Sequence, residues 1–276
     1  MNILANILPL FLKEIDNFSR REIISFAYLS IEKILGFTKS DCILNSNYNL
    51  SDENISSFEK IIVDIKKNIP IQYILGETYF YNLKFNVNSS TLIPRPETEE
   101  LVRYILSHNF SSVLDIGTGS GCIAISIAKN SNASIDAIDN SKEALEIAKS
   151  NAILNSVDVN FMFNDVFGFS VTKKYDLIVS NPPYVLNSEK KYMHQNVIDY
   201  EPHNALFVED SNPLIFYEKI ALIASKNLNS NGLLFFEINE KFGEQIIDLL
   251  LKLNFVDIEL KKDINGRDRI IKSVFK

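Results

Sequence analysis

The chain has 276 residues, 46% of them hydrophobic and 23% charged, a composition suited to one large or two modest globular domains. A net charge of −7 and an isoelectric point near 5.1 deny the whole chain the electrostatic footprint of a duplex-DNA binder, so no stable nucleic-acid partner is expected. Cys42 and Cys122 lie far apart and argue against a disulfide scaffold and for a reducing, cytoplasmic setting; with only His108, His194 and His203 and no Cys/His cluster, no metal site is expected.

Residues 1–12 are apolar but have no basic residue ahead of the apolar run, are interrupted by Asn6 and lead straight into Lys13 and Glu14. They read as a helix with one buried face, not a signal peptide, and no stretch is long enough to span a bilayer. Ser19 and Glu22 have capping-box spacing ahead of Ile23, Ile24, Phe26, Ala27, Ile31, Ile34 and Leu35, with Gly36 as a stop. Ser51, followed by Asp52 and Glu53, starts a second helix through Phe58, Ile61, Ile62 and Ile65 that ends before Pro70. Residues 1–75 therefore read as a small helical bundle without a catalytic constellation, suited to docking a partner.

From Ile71 the pattern changes. Tyr79, Phe80 and Tyr81, then Leu83, Phe85 and Val87, read as two short strands around Asn82, and residues 76–95 as a β-hairpin with a proline-stiffened linker. Arg95 between Pro94 and Pro96 is either a buried anchor or an exposed linker charge; spacing alone favours the latter. Glu97, Glu99 and Glu100 then open a helix, the start of a third region, residues 96–276.

Residues 112–116 form a strand, followed by a loop with Gly117, Gly119 and Gly121 and a helix over residues 123–129. Such glycines let the backbone turn tightly and approach a ligand, and the amides of the helix start point at it. A second strand over residues 134–138 ends in Asp139, placed to accept both hydroxyls of a ribose, and Asn140 or Ser141 caps the next helix. The dinucleotide fingerprint needs Gly or Ala at position 122, where this chain has Cys122, which reads as a small packed residue. The G-x-G-x-G spacing with Asp115 ahead of it suits a nucleoside without a pyrophosphate, such as S-adenosylmethionine, because Asp115 is compatible with a sulfonium and not with a diphosphate. A third strand over residues 157–163 leads to Asp165, which either accepts an adenine amino group or caps a turn.

The fourth strand carries Leu177, Ile178 and Val179, an apolar run suited to a buried parallel strand. It halts at Asn181-Pro182-Pro183-Tyr184, since neither proline can donate to a ladder and the residues before them are pushed into extended conformations. The turn offers the Asn181 side-chain carbonyl, the Pro182 and Pro183 carbonyls and the flat face of Tyr184. A planar NH2 on an amide or a base has two hydrogens to give, to Asn181 Oδ1 and the Pro182 carbonyl, while stacking on Tyr184. Its lone pair is delocalised, so two fixed acceptors favour the form in which the nitrogen becomes tetrahedral and positive. Residues 186–208 read as a long irregular loop containing His203, to which no catalytic role falls because a methylated NH2 can lose its proton to water. A helix over residues 213–225, a strand over 233–238, a helix over 242–253 and two antiparallel edge strands (256–260 and 270–275) around Asn265-Gly266 complete the chain.

With these residues in view the chain resembles the bacterial release-factor glutamine methyltransferases. The resemblance rests on Pro70-Ile71-Gln72-Tyr73-Ile74-Leu75-Gly76, Leu92-Ile93-Pro94-Arg95-Pro96-Glu97-Thr98-Glu99, Asp115-Ile116-Gly117-Thr118-Gly119-Ser120-Gly121, Ser180-Asn181-Pro182-Pro183-Tyr184, Tyr200-Glu201-Pro202 and Asp268-Arg269. It implies an α/β fold, a seven-stranded Rossmann-like class I methyltransferase domain preceded by a small all-helical domain and a β-hairpin linker. It implies methyl transfer from S-adenosylmethionine, leaving S-adenosylhomocysteine, to the Gly-Gly-Gln glutamine of class I peptide-chain release factors, by a monomer. Asp115, Gly117, Thr118, Gly119, Ser120, Gly121, Asp139, Asp165, Val166 and Asn181 would then serve the cofactor, and Asn181, Pro182, Pro183 and Tyr184 the glutamine. Three positions depart from the family pattern: Val166 where tryptophan is frequent, His203 where arginine is, and Asn212-Pro213-Leu214 without the usual glycine. The alternatives are an N6-adenine methyltransferase, for which the same turn would serve, and a non-catalytic S-adenosylmethionine-binding protein.

Overall fold

The computed structural model describes residues 2–170 and 172–276, and the chain divides into two compact units. The smaller runs to Gly76 and takes in Gln195–Tyr200; the larger comprises Glu77–His194 and Glu201–Lys276. In the smaller unit a 3-10 turn at Leu4–Asn6 leads into α1 (Ile7–Glu14), so the apolar start is helical as expected, with Met1 outside the described residues. Helix α2 (Arg20–Leu35) begins at a complete capping box: the Ser19 hydroxyl accepts the Glu22 N–H and the Glu22 carboxylate accepts the Ser19 N–H. It stops at Gly36, whose φ of 70° is left-handed. Helices α3 (Lys39–Leu44) and α4 (Asp52–Lys66) are capped the same way by Thr38 and Ser51. Phe11, Ala27, Phe58 and Ile65 are fully enclosed and form the centre of this bundle. Pro70 does not end the helical region; it precedes one more short helix, α5 (Ile71–Leu75), because a proline fits a helix start as well as a helix stop.

In the larger unit β1 (Glu77–Phe80) and β2 (Leu83–Asn86) form the expected hairpin, turned by Tyr81 and Asn82, both at positive φ. After α6 (Pro96–Ile105) come β3 (Ser112–Ile116), α7 (Cys122–Asn130), β4 (Ser134–Asp139), α8 (Lys142–Asn155), β5 (Asn160–Phe163) and β6 (Tyr175–Ser180). The hairpin belongs to this unit: Asn151 on α8 accepts the Asn86 N–H and donates to the carbonyls of Asn86 and Ser120. β5 is shorter than the sequence suggested, because left-handed Ser156 and the Val157 N–H bonded to the Ala152 carbonyl prolong the end of α8.

Residues 186–208, expected as an irregular loop, are instead mostly short elements. These are β7 (Val185–Leu186), a 3-10 helix at Asn187–Tyr192, α9 (Gln195–Tyr200), α10 (His203–Leu206) and β8 (Phe207–Val208), which pairs with β7. Of these, α9 groups with the helical unit, where the Tyr200 hydroxyl donates to the Lys67 carbonyl. No apolar period marks such four- to six-residue helices, so sequence pattern misses them. The chain ends with α11 (Ile215–Asn227), β9 (Leu228–Glu237), α12 (Gly243–Lys252), β10 (Phe255–Lys262) and β11 (Asp268–Phe275).

The sheet has seven strands in the order β10-β11-β9-β6-β3-β4-β5. β5, β4, β3, β6 and β9 run parallel, and β11 is antiparallel to both β9 and β10, as the tight turn at Gly266 requires. From β3 the chain moves outward to β4 and β5, then returns to place β6 on the other side of β3. That reversal is a topological switch point, where the loops after neighbouring parallel strands diverge and leave a crevice. Among the described residues no helix is long and apolar enough to cross a membrane.

Candidate active site

The crevice outside the carboxyl ends of β3, β4 and β6 holds a cavity lined on one side by Gly117, Gly119, Asp139 and Asn140 and on another by Ser180, Asn181, Pro182 and Pro183. Ile116, Ile138, Val166, Phe216 and Ile220 supply an apolar floor suited to a flat heteroaromatic ring, and Ser90 to Leu92 with Asn204 and Ala205 complete the wall.

The glycine loop is built from β3 outward. The N–H groups of Gly117 and Thr118 both donate to the Ile138 carbonyl at the end of β4, and the Gly121 N–H donates to the Thr118 carbonyl. Gly117, Gly119 and Gly121 all have positive φ, at 76°, 54° and 81°, a backbone that L side chains avoid. The Asp139 carboxylate takes the Gly119 N–H at 2.8 Å on one oxygen and the Ser141 N–H at 2.9 Å on the other. Burial raises its pKa above the usual range. Each oxygen keeps a lone pair, so the carboxylate can still accept donors from the cavity.

Asp115, expected beside the ligand's positive charge, lies beneath the loop, fully enclosed. Thr118 Oγ1 donates to its Oδ2 at 2.7 Å, Oδ1 has no hydrogen-bond partner among the described residues, and burial pushes the carboxyl up to about 7. Thr118, Ser120 and Gly121 are buried with it, so these four shape the loop from below while Gly117 and Gly119 face the cavity. Cys122 is a packed thiol pushed up to about 12 by burial. Asp165 is exposed, caps a turn by taking the Phe167 N–H at 2.9 Å on one carboxylate oxygen, and is not among the residues lining the cavity. Its neighbours Asn164 and Val166 line the cavity instead.

The proline turn divides in the same way. Asn181, Pro182 and Pro183 line the cavity, but Tyr184 is not among its lining residues. The Tyr184 hydroxyl donates to Glu237 Oε1 at 2.9 Å, and the Arg269 guanidinium lies 6.0 Å from its ring centroid. The hydroxyl at the edge of the ring is thus engaged by the protein itself. Three further residues join the network: Thr98 and Arg269, which the sequence offered only within motifs and without a role, and Glu237, which it did not single out. Glu237, at the end of the apolar strand β9 and only 1% exposed, takes the Thr98 hydroxyl on Oε2 at 2.7 Å. Thr98, in the first turn of α6, in turn accepts Asn181 Nδ2 at 3.4 Å. Arg269 donates to the Ile238 carbonyl and to Asp263. A carboxylate directly after the apolar run of residues 233–236 is the sequence signal for such a network, since it must find donors when buried.

Arg95 proves to be an anchor and not a linker charge. Its guanidinium meets Glu201 Oε1 at 2.5 Å, and Glu201 Oε2 accepts the Ile93 N–H. Glu201 is 4% exposed and joins the segments that carry Leu92 and Asn204, on the cavity wall. His203, given no catalytic role, packs edge-on against Phe207.

A seven-stranded α/β sheet with a glycine loop, an acid closing the second strand and an Asn-Pro-Pro turn on one cavity defines a Rossmann-like class I methyltransferase. A "Methyltransferase small domain" family model matches residues 96–208, and a "PrmC N-terminal domain" model matches residues 11–76. The release factor glutamine methyltransferase of Flavobacterium psychrophilum is 49% identical over 268 residues, 94% of each chain. That of Bacteroides thetaiotaomicron is 43% identical over 262 residues, covering 93% of this chain and 94% of the relative. The chain belongs to the release factor glutamine methyltransferase family. Among solved structures, the 16S rRNA N2 G1207 methyltransferase of T. Thermophilus, in complex with AdoMet and guanosine, shares the fold. Its TM-score is 0.51 at 14% identity, over 72% of this chain and 50% of that one.

Proposed function

We propose that the protein transfers a methyl group from S-adenosylmethionine to the side-chain amide nitrogen of the Gly-Gly-Gln glutamine in class I peptide-chain release factors. The observation that carries this reading is that the glycine loop with Asp139 and the Asn181-Pro182-Pro183 turn line one cavity, from the ends of neighbouring strands. The residues fit the cofactor: Asp139 has lone pairs to spare for ribose hydroxyls, Ile138, Val166 and Phe216 suit the adenine ring, and the side-chain-free Gly117 and Gly119 allow close approach. When bound, S-adenosylmethionine supplies an electrophilic methyl group.

The chain's own part is alignment and fixed acceptors. Asn181 Oδ1 and the Pro182 carbonyl accept the two hydrogens of the glutamine NH2, holding its nitrogen in line. As that nitrogen gains positive charge, both hydrogen bonds strengthen, and the extra proton leaves to water. Tyr184 serves from behind, fixing the turn through Glu237. The helical unit is suited to docking the release factor, and the enzyme acts as a cytoplasmic monomer.

The test is mass spectrometry of a release factor incubated with enzyme and S-adenosylmethionine, looking for one added methyl on that glutamine. Asn181→Ala is expected to lower turnover by about 10²–10³-fold, the loss typical of removing one fixed polar partner of a developing charge, while cofactor binding changes little. Wild-type enzyme that leaves the glutamine unmodified, or an Asn181→Ala variant of undiminished rate, overturns the proposal.

A further inference from the structure

We infer that Thr98 is a positioning residue that fixes which face of the Asn181 amide meets the substrate, with buried Glu237 as its clamp. The inference rests on the function proposed above and deepens it. A threonine hydroxyl has one hydrogen and two lone pairs. Here the hydrogen is committed to Glu237 Oε2 at 2.7 Å, so toward Asn181 the oxygen can only accept. The Asn181 Nδ2 faces it at 3.4 Å. With the NH2 half of the amide turned to Thr98, the Oδ1 half is left as the acceptor for the substrate. An amide rotated by half a turn would oppose a donor to the donor NH2 of glutamine and remove the acceptor on which the chemistry depends.

The clamp is well determined. Glu237 and Thr98 are each almost wholly enclosed, and the second carboxylate oxygen takes the Tyr184 hydroxyl at 2.9 Å. Both ends of the Asn-Pro-Pro-Tyr turn are therefore held by one carboxylate, Tyr184 directly and Asn181 through Thr98. The Tyr184 carbonyl accepts Asn239 Nδ2 at 3.1 Å, and the Glu237 main-chain carbonyl accepts the Tyr217 hydroxyl at 3.1 Å, which hold the turn and the strand end on either side. Burial raises the Glu237 pKa, while the hydroxyls of Thr98 and Tyr184 and the nearby Arg269 favour its charged, acceptor-only form.

The experiment measures kcat and KM for release-factor methylation and the S-adenosylmethionine Kd for wild type, Thr98→Val, Thr98→Ser, Asn181→Ala and the Thr98→Val/Asn181→Ala double variant. Valine keeps the shape of threonine and removes the hydroxyl. Thr98→Val is expected to lower kcat by about 30-fold or more with cofactor Kd within about 2-fold of wild type, because the lost effect is one of charge stabilisation and not of binding. Thr98→Ser, which restores the hydroxyl, should recover most of the rate. Because Thr98 acts only through Asn181, adding Thr98→Val to Asn181→Ala should lower the rate by less than about 2-fold more. Full additivity in the double variant, a Thr98→Val enzyme as fast as wild type, a parallel loss of cofactor binding, or failure of serine to rescue overturns the inference. Those results presuppose active wild-type enzyme; an inactive wild type counts instead against the proposed function.

Discussion

Two aspartates on neighbouring strands of one sheet, Asp115 on β3 and Asp176 on β6, are held in opposite ways. Asp176, at the amino end of its strand, takes five donors: the N–H and hydroxyl groups of both Ser111 and Ser112, and the Asn229 amide. The Ser111 hydrogen bonds lead in holding its carboxyl down at about 2. Asp115, toward the carboxyl end, has the Thr118 hydroxyl on one oxygen and no partner on the other among the described residues, and burial lifts it to about 7. One end of the sheet is saturated with hydrogen bonds. The other keeps polar groups buried and incompletely paired, beside three left-handed glycines and a double-proline turn. The difference separates the end of the sheet that only holds the fold from the end whose loops line the cavity.

The largest stability effect should come from closing the space under the glycine loop. A Cβ at Gly121 would lie 2.9 Å from Ile125 Cδ1 and 3.2 Å from Ala148 Cβ, on a backbone at φ 81°. Gly121→Ala is expected to cost about 3 kcal/mol in urea unfolding, combining left-handed strain of about 1–2 kcal/mol with overpacking. Gly119→Ala has the strain without the crowding, since its Cβ meets nothing within 4 Å among the described residues, and should cost about 1 kcal/mol. It should still weaken S-adenosylmethionine binding, because the added methyl sits on a cavity-lining residue. Equal losses of stability for the two variants would contradict the division between a loop packed from below and open above.

Much of this was legible in the sequence, and the reason is locality. The order strand, glycine loop, helix, strand, Asp139 spans fewer than thirty residues, and each step leaves its own mark: an apolar run, glycines, a cap. The helices capped by Ser19 and Ser51 and the Tyr81-Asn82 hairpin read equally well for the same reason. What could not be read is pairing across the chain. Thr98 meets Glu237 across 139 residues and Asn181 across 83, and Arg95 meets Glu201 across 106. Nothing near Arg95 distinguishes an anchor from a linker charge until its partner is brought to it. Tyr184 shows the same limit: its hydroxyl is met by a buried carboxylate on a distant strand, a partner that nothing near Tyr184 announces. Asp165 and Asn164 differ by a single position, and the turn that takes Asp165 as its cap leaves Asn164 to the cavity.

The two aspartates themselves give the remaining predictions. For Asp115 the folded-state pKa is raised from 3.8 to about 7, so the folded chain holds a proton that the unfolded chain has lost. Its contribution to stability is full below the unfolded value and is lost as pH rises through about 7. Asp115→Asn removes that loss, and in denaturant titrations it should exceed wild type by about 2 kcal/mol near pH 8.5 and approach it only near pH 3.5, below the unfolded value, a fraction of the full shift at 1.36 kcal/mol per unit. Identical pH dependence for the two proteins would remove Asp115 from the cost of the site.

Asp176 should show the reverse sign and the smallest effect. Its folded-state pKa lies below the unfolded 3.8, at about 2, so its stabilisation is present above the unfolded value and is lost as pH falls through the folded one. Asp176→Asn should therefore cost about 1 kcal/mol at pH 7, after allowance for a partly solvated site, and nearly nothing near pH 2. Because Asp176 lies at the amino end of its strand, outside the cavity lining, the variant should keep wild-type kcat and cofactor affinity at neutral pH. A loss of turnover out of proportion to the loss of stability would mean that the saturated end of the sheet is coupled to the chemistry after all. A pair of variants that move stability with opposite pH dependence is what the asymmetry of the sheet requires.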